Sequence, residues 1–358
     1  MKQYNVIDLF SGVGGLSYGF SKIPQFKILL ANEIEKDIAI AYKLNHPNVE
    51  MLNCDIRNLT EDVLNKVLNG KSVDIIAGGP PCQSYSTLGK RQMDDRANLF
   101  KEYKRILNIL KPNIFIFENV VGILSMDNGK LFTKIQNEFK QLGYELKYKI
   151  LNAADFGVPQ QRERVLIVGV KGVNNFIYPT PTHGKNLKPY VTVKDAINDL
   201  PILSSGEMSK QYRTDPINEF QNFVRQGSTT FVTEHESPKS SEHLIKIMKT
   251  LKDGESKKDL PINIRPKSGY GNTYAKLWWN KPSTTITRNF ACPSSSRCIH
   301  PRDSRALSIH EGARLQSFPD DYIFYGTKTM KRLEIGNAVP PLLSLAIANQ
   351  VLATIYIE

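Results

Sequence analysis

The sequence predicts an α/β fold, with a mostly parallel sheet covered by helices on both faces and a second, smaller domain set into the chain. Two observations predict it. Through the first 170 residues, short apolar runs alternate with stretches of helical period, the pattern of successive strand–helix–strand units. After residue 170 that texture gives way to a region rich in Pro, Ser, Thr and Lys, and regularity returns near residue 307.

The strand candidates are NVIDLF (5–10), KILLANE (27–33), MLNCD (51–55), VDIIAGG (73–79), IFIFENV (114–120), YELKYKILNA (144–153) and RVLIVGV (164–170). Two intervening segments carry a clear helical face. In 97–110 it is Leu99, Tyr103, Ile106, Leu107 and Leu110; in 130–143 it is Leu131, Ile135, Phe139 and Leu142, with Gly143 as the stop. DLFSGVGGLSYGF (8–20) reads as a strand, a glycine-rich turn and a helix. SIHEGARLQSF (308–318) reads as a helix, and a last helix follows Pro340 and Pro341. The second domain is expected over 185–306.

Charge points to a partner. The net charge is +12, and more than half of the excess lies between residues 171 and 290. A polyanion is the simplest reading, with a solvated basic surface as the plain alternative. Cysteines at 54, 82, 292 and 298 are too few for a disulfide framework in a chain of 358 residues. The first apolar run starts too early for a signal peptide, and the C-terminal run LLSLAIANQVLATIYI is too short and polar to span a bilayer. A cytoplasmic protein with no membrane partner is expected.

Polar residues then fall where a ligand site belongs. Glu33, Asp55, Cys82 and Glu118 each sit at or just past the C-terminal end of an apolar run, the edge at which open parallel sheets bind ligands. The turn after the first strand meets the dinucleotide pattern at Gly12 and Gly14 but places Ser17 at its third glycine. That is a poor fit to NAD and no obstacle to a nucleoside cofactor without pyrophosphate. Glu33 is spaced to accept hydrogen bonds from ribose hydroxyls.

Cys82 follows GGPP directly. Two prolines stiffen the backbone before it, which suits a nucleophile held in one orientation; a buried, inert cysteine is the alternative, and the better reading for Cys54. Glu118 ends IFIF and is partly withdrawn from water, placed to give or share a proton; a capping or salt-bridged carboxylate is its alternative. In QQRER (160–164), Arg162 and Arg164 alternate on entry to a strand, so both are expected on one face. Such a pair suits a planar acceptor or a phosphate, or an ion-paired strand end. Cys292, Cys298 and His300 have no second ligand pair at zinc spacing, so no metal is expected.

Together these motifs resemble the C5-cytosine DNA methyltransferases of bacterial restriction-modification systems. DLFSGVGGL (8–16), GGPPCQSYS (78–86), ENV (118–120), QQRER (160–164), RALSIHEGARLQSFPDDY (305–322) and GNAVPPLL (336–343) stand in that family's order. The resemblance implies a Rossmann-like methyltransferase domain from 1–184 and 307–358, and a target-recognition domain at 185–306. It implies S-adenosyl-L-methionine as cofactor, lined by Phe10, Gly12, Val13, Gly15, Glu33, Ile34, Asp55, Ile56, Pro81, Leu99 and Asn337. Cys82 would be the nucleophile, with Glu118, Arg162 and Arg164 as catalytic partners, and Ser84–Arg96 a lid over a flipped base. One of Thr284, Thr285 or Thr287 would match a family threonine, and 267–290 would meet DNA grooves and phosphates. Double-stranded DNA is the implied partner, the chain is expected to act as a monomer, and a cognate restriction endonuclease is expected in the same system. A tRNA-directed member, a catalytically silent DNA-binding protein and, more distantly, an NAD oxidoreductase are the competing readings.

Overall fold

The computed structural model describes residues 2–81, 99–227, 230–267 and 269–355. The chain divides into two compact units: Met1–Asn152, Glu163–Thr180 and Leu343–Glu358 form the first, and Ala153–Arg162 with Pro181–Leu342 the second. By compactness, residues 307–342 group with the second unit, whereas the resemblance led to the expectation that they belong with the methyltransferase domain. Compactness and function are separate criteria.

The first unit holds β1 (Tyr4–Leu9), β2 (Phe26–Asn32), β3 (Glu50–Leu52), β4 (Ile75–Gly78), β5 (Ile114–Val120), β6 (Tyr144–Asn152) and β7 (Glu163–Lys171). Its helices are α1 (Gly15–Ser21), α2 (Lys36–Asn45), α3 (Glu61–Leu68), α4 (Leu99–Leu110) and α5 (Lys130–Lys140). All seven strands form one sheet in the order β3-β2-β1-β4-β5-β7-β6. β7 runs antiparallel to both of its neighbours, and the other pairings are parallel. The run expected to end at Asp55 stops as a strand at Leu52, because the Asp55 carboxylate accepts the amide of Arg57 and starts a 3-10 turn.

Burial explains why the runs read so plainly. β4 and the first half of β5 are buried on both faces, as strands in a helix-covered parallel sheet must be. α4 and α5 turn Tyr103, Ile106, Leu107, Ile135 and Phe139 into that core. There Tyr103 packs edge-on against Phe115 and Phe117, and its hydroxyl lies 2.8 Å from the carbonyl of Ile116. Gly169 in β7 makes room for the cluster: a Cβ there would sit 2.1 Å from the Phe115 ring.

The second unit contains α6 (Val193–Ile197), α7 (Glu219–Val224), α8 (Glu242–Thr250), β8 (Ala275–Lys276), β9 (Arg297–Ile299), α9 (Ile309–Leu315) and α10 (Lys328–Asn337). With so little regular structure, buried ion clusters carry much of its organisation. Arg305 grips Glu311 with two bonds of 2.7 and 2.8 Å and also reaches Asp303 at 2.9 Å. Ser308 and Glu311 form a reciprocal cap at the start of α9. The tryptophans divide: Trp279 is buried, while Trp278 stacks under the Arg297 guanidinium, 4.1 Å away.

The last helix, α11 (Pro341–Ile355), returns to the first unit. Ser344 accepts the amide of Gly19 at 3.0 Å, and a Cβ on Gly19 would strike the Ser344 backbone at 2.3 Å. Lys328–Ile355 is apolar enough to suggest a membrane span, yet Ala338–Val339–Pro340 interrupt it, and Leu343, Ile347, Ala348 and Val351 are buried core residues.

The two units are expected to differ in acid. In the second, burial pushes His300 down to about 4 and lowers His235. Burial works to raise Glu311, but the charge and hydrogen bonds of Arg305 outweigh it and hold the carboxyl well below the usual range. All three contribute stability that is full at high pH. The histidine part is lost as pH falls from the unfolded value near 6.5 toward 4, about 2 kcal/mol by pH 5 for His300 alone. In the first unit the signs oppose. Burial lowers His46 to about 4, but burial raises Asp8 to about 7 and also raises Glu33, so acidification relieves those carboxylates. With the intrinsic pH dependence of amide exchange divided out, protection factors should therefore fall between pH 7.5 and pH 5 in peptides from 181–342, with little change in 4–80. An equal fall in both would refute the assignment.

Candidate active site

β1 lies between β2 and β4, so the strand order reverses there, the point at which open parallel sheets take ligands beyond the strands' C-terminal ends. Two turns of the first unit meet this edge: Phe10–Gly15 after β1, and Gly79–Pro81 after β4.

The first turn is held open by three left-handed residues, Phe10 and Gly12 at φ 55° and Gly14 at φ 96°. A Cβ on Gly12 would meet no described atom within 4 Å, so among the described residues nothing fills the space above it. Glu33, just past β2, accepts the amide of Gly12 through Oε2 at 3.0 Å and that of Glu35 through Oε1 at 2.9 Å. Each carboxylate oxygen keeps a lone pair for another donor. Asn32 and Asn53 stitch the neighbouring turns, Asn32 donating to the carbonyls of Leu52 and Cys54, and Asn53 to those of Glu33 and Ile34. Ile34 is left 60% exposed beside Glu33, an apolar platform next to a hydrogen-bonding acid. Ile56 and Val13 are buried and line the core side, whereas Leu99 and Pro81 are half-buried.

At the end of β5, Glu118 faces a cation. Arg164 stands opposite Val120 and Glu118 opposite Leu166 in the antiparallel ladder, so the two side chains are diagonal neighbours on one face. They form an ion pair at 2.9 Å between Nε and Oε1, with each side chain under 15% exposed. Asn119 donates to the carbonyl of Pro80 at 3.1 Å, fastening the end of β5 to the turn that leads into Cys82. Cys82 itself, with Gln83, Ser86 and the expected lid 84–96, lies outside the described residues.

A carboxylate–guanidinium pair stands at one sheet edge with a proline-stiffened turn into a cysteine and an open glycine turn backed by an acid. The sequence pattern of the C-5 cytosine-specific DNA methylase family matches residues 4–353. The chain belongs to that family. It is 38% identical to the Type II methyltransferase M1.HphI of Haemophilus parahaemolyticus, over 97% of this chain and 86% of the relative. It is 37% identical to the Type II methyltransferase M.DdeI of Desulfomicrobium norvegicum, over 97% and 88%. Among solved structures it is similar to an Escherichia coli prophage-encoded chain described as a DNA modification methyltransferase, with TM-score 0.81, 26% identity and coverage of 99% and 100%.

In this methylase the two arginines of QQRER have different surroundings. Arg162 is 1% exposed and donates to the carbonyls of Ile286, Gly336 and Ala338 at 2.9–3.0 Å. Arg162 thus fastens its own segment to the backbone at Ile286 and at Gly336–Ala338, while Arg164 pairs with Glu118. Gln160 does similar work, accepting the amide of Ile286 at 2.7 Å and donating to Leu315 and Gln316. Asn337 is exposed at the end of α10. Asp55 spends one oxygen on its turn and stays partly exposed. Thr285 donates to the carbonyl of Gln161 at 2.9 Å, while Thr287 accepts the amide of Asn289. Cys298 is fully buried and His300 accepts the amide of Asp303.

Asp8 escaped the sequence reading. It lies inside β1 with Oδ2 accepting from the Ser17 hydroxyl at 2.6 Å, and Ser17 in turn meets the Tyr42 hydroxyl at 2.7 Å. The serine that spoils the dinucleotide pattern thus ties α1 to β1. Burial, partly offset by the Ser17 bond, pushes Asp8 up to about 7.

Proposed function

We propose that this protein transfers a methyl group to carbon 5 of a cytosine in a specific sequence of duplex DNA, as the modification half of a restriction-modification system. The Glu118–Arg164 pair at the sheet edge, fastened through Asn119 to the turn before Cys82, carries the reading. The basic excess over 171–290 suits a DNA backbone. The curated relatives are named Type II methyltransferases. A recognition domain over 185–306, a monomer, a cytoplasmic location and a cognate endonuclease complete the proposal.

The open glycine turn, the two-donor carboxylate of Glu33 and the exposed Ile34 fit S-adenosyl-L-methionine: Glu33 for the ribose, Ile34 for the purine, and Asp55 for its amino group, with Phe10, Gly15, Pro81 and Leu99 completing the pocket and the buried Val13 and Ile56 behind it. When bound, that cofactor supplies an electrophilic methyl group. Carbon 5 of cytosine is too weak a nucleophile to take it unaided. The Cys82 thiolate adds to carbon 6 and makes the ring an enamine. Negative charge then grows toward N3 and O2, where Glu118 supplies a proton and Arg164 a positive charge. Loss of the carbon-5 proton and of the thiolate restores the ring. The base reaches these groups only by leaving the stack, at a cost of a few kcal/mol.

Bisulfite sequencing of a host genome expressing the chain should show methylcytosine at one short sequence. A duplex with 5-fluorocytosine at that position should then form a denaturant-resistant adduct only with cofactor and intact Cys82. Preferential methylation of tRNA in competition with that duplex would overturn the proposal.

A further inference from the structure

We propose that Gly79 is a positioning residue for catalysis: the side chain it lacks is the space in which the Glu118 carboxylate is held within reach of Arg164. This deepens the methyl-transfer reading and rests on it.

The two glycines that close β4 are there for different reasons. Neither has a positive φ, so backbone conformation calls for glycine at neither position. A Cβ on Gly78 would lie 2.3 Å from the carbonyl oxygen of Leu9 in β1. Gly78 therefore serves the sheet, letting β1 and β4 pair at Leu9 and Gly78.

Gly79 faces the other way. A Cβ there would lie 2.6 Å from Oε2 of Glu118 and 2.9 Å from that residue's carbonyl oxygen. The carboxylate therefore rests on the α-carbon of residue 79 while its other oxygen, Oε1, sits 2.9 Å from Arg164. A methyl group at 79 and this carboxylate cannot share the position. The shallower approach to the strand carbonyl is common to every Glu118 variant, whereas the deeper 2.6 Å overlap falls on the carboxylate, the end of a side chain that can turn. As it turns away, Oε1 leaves Arg164 and the acid no longer points where N3 of the base would arrive. A displacement of about 1 Å in a group that handles a proton costs on the order of 100-fold in rate.

The test is a double-mutant cycle on single-turnover methyl transfer to duplex DNA, using wild type, Gly79→Ala, Glu118→Ala and the double variant. Cofactor affinity and thermal unfolding serve as controls of the fold. Gly79→Ala should slow transfer about 100-fold with under about threefold change in duplex KM, and should cost under about fivefold once Glu118 is alanine. Gly79→Ala with Glu118→Asp, whose acid is one methylene shorter, should be faster than Gly79→Ala alone. Should Gly79→Ala fold only when Glu118 is also alanine, the clash is established directly. An equal loss in both backgrounds, or a double variant that still fails to fold, overturns the proposal. Wild-type turnover on DNA against tRNA reports separately on the methyl-transfer reading itself.

Discussion

Cys82→Ala is expected to remove methyl transfer, by on the order of 10⁴-fold or more, while leaving duplex affinity within about threefold. The size follows from what the thiolate does. Without addition at carbon 6 the ring never becomes an enamine, and neither Glu118 nor Arg164 has developing charge to neutralise. Other groups at the edge cannot take over. Glu118 is paired to Arg164, and Cys54 is a half-buried packing residue whose thiol burial pushes up and the Asp55 charge raises further. Binding should survive because it draws on the basic excess over 171–290 rather than on one thiol. Tritiated methyl transfer measures the first quantity and gel shift with the same duplex the second. Turnover retained in Cys82→Ala would remove the nucleophile from the mechanism; lost binding would make Cys82 a structural residue.

The contrast between what could and could not be read in advance has a physical origin. β5 and β7 were legible because strands covered on both faces need runs such as IFIF and VLIV, and such runs carry their own signature. α4 and α5 were legible because one face of each is apolar. α2 and α3 were passed over although Thr60 caps α3 by accepting the amide of Val63; at ten and eight residues they bury only a few side chains each. The direction of β7 had no local signal, since it is set by where the chain turns after β6.

The site divides along the same line. Glu33, Asp55 and Glu118 could be located because each ends an apolar run, a local event. Alternation along QQRER carries no sign of the carbonyls that Arg162 meets, since Ile286, Gly336 and Ala338 lie more than a hundred residues away. Gly79 read only as the end of the run VDIIAGG, and the placement of Glu118 beside it shows a further use. Asp8 read as a strand residue because its partner Ser17 sits on α1. Long-range polar partners are where sequence patterns fall silent.

The segment RALSIHEGARLQSFPDDY shows the same thing on a larger scale, and it yields the largest expected stability effect. Its charged residues invite a catalytic reading, yet Arg305, Glu311, Arg314 and Asp320 are all buried. Arg314 donates to Asp320 at 2.6 and 2.8 Å, to Asp199 at 2.5 and 3.1 Å, and to the carbonyl of Ala196 at 2.9 Å. Burial works to raise Asp320, but the charges of His310 and Arg314 outweigh it and hold the carboxyl far below its ordinary range. Arg314→Met therefore leaves two carboxylates in the interior with too little positive charge, at an expected cost of about 3–5 kcal/mol at pH 7.5. The attraction within an intact cluster is largely cancelled by desolvation, so removing charge from both sides should cost far less. Adding Asp199→Asn and Asp320→Asn to Arg314→Met should recover at least about half of the loss. Urea unfolding of the three chains measures this through shifts in midpoint at constant slope. A single variant within about 1 kcal/mol of wild type would mean that the guanidinium organises nothing the packing does not already hold. A triple variant no better than the single would assign its value to hydrogen-bond geometry rather than to charge.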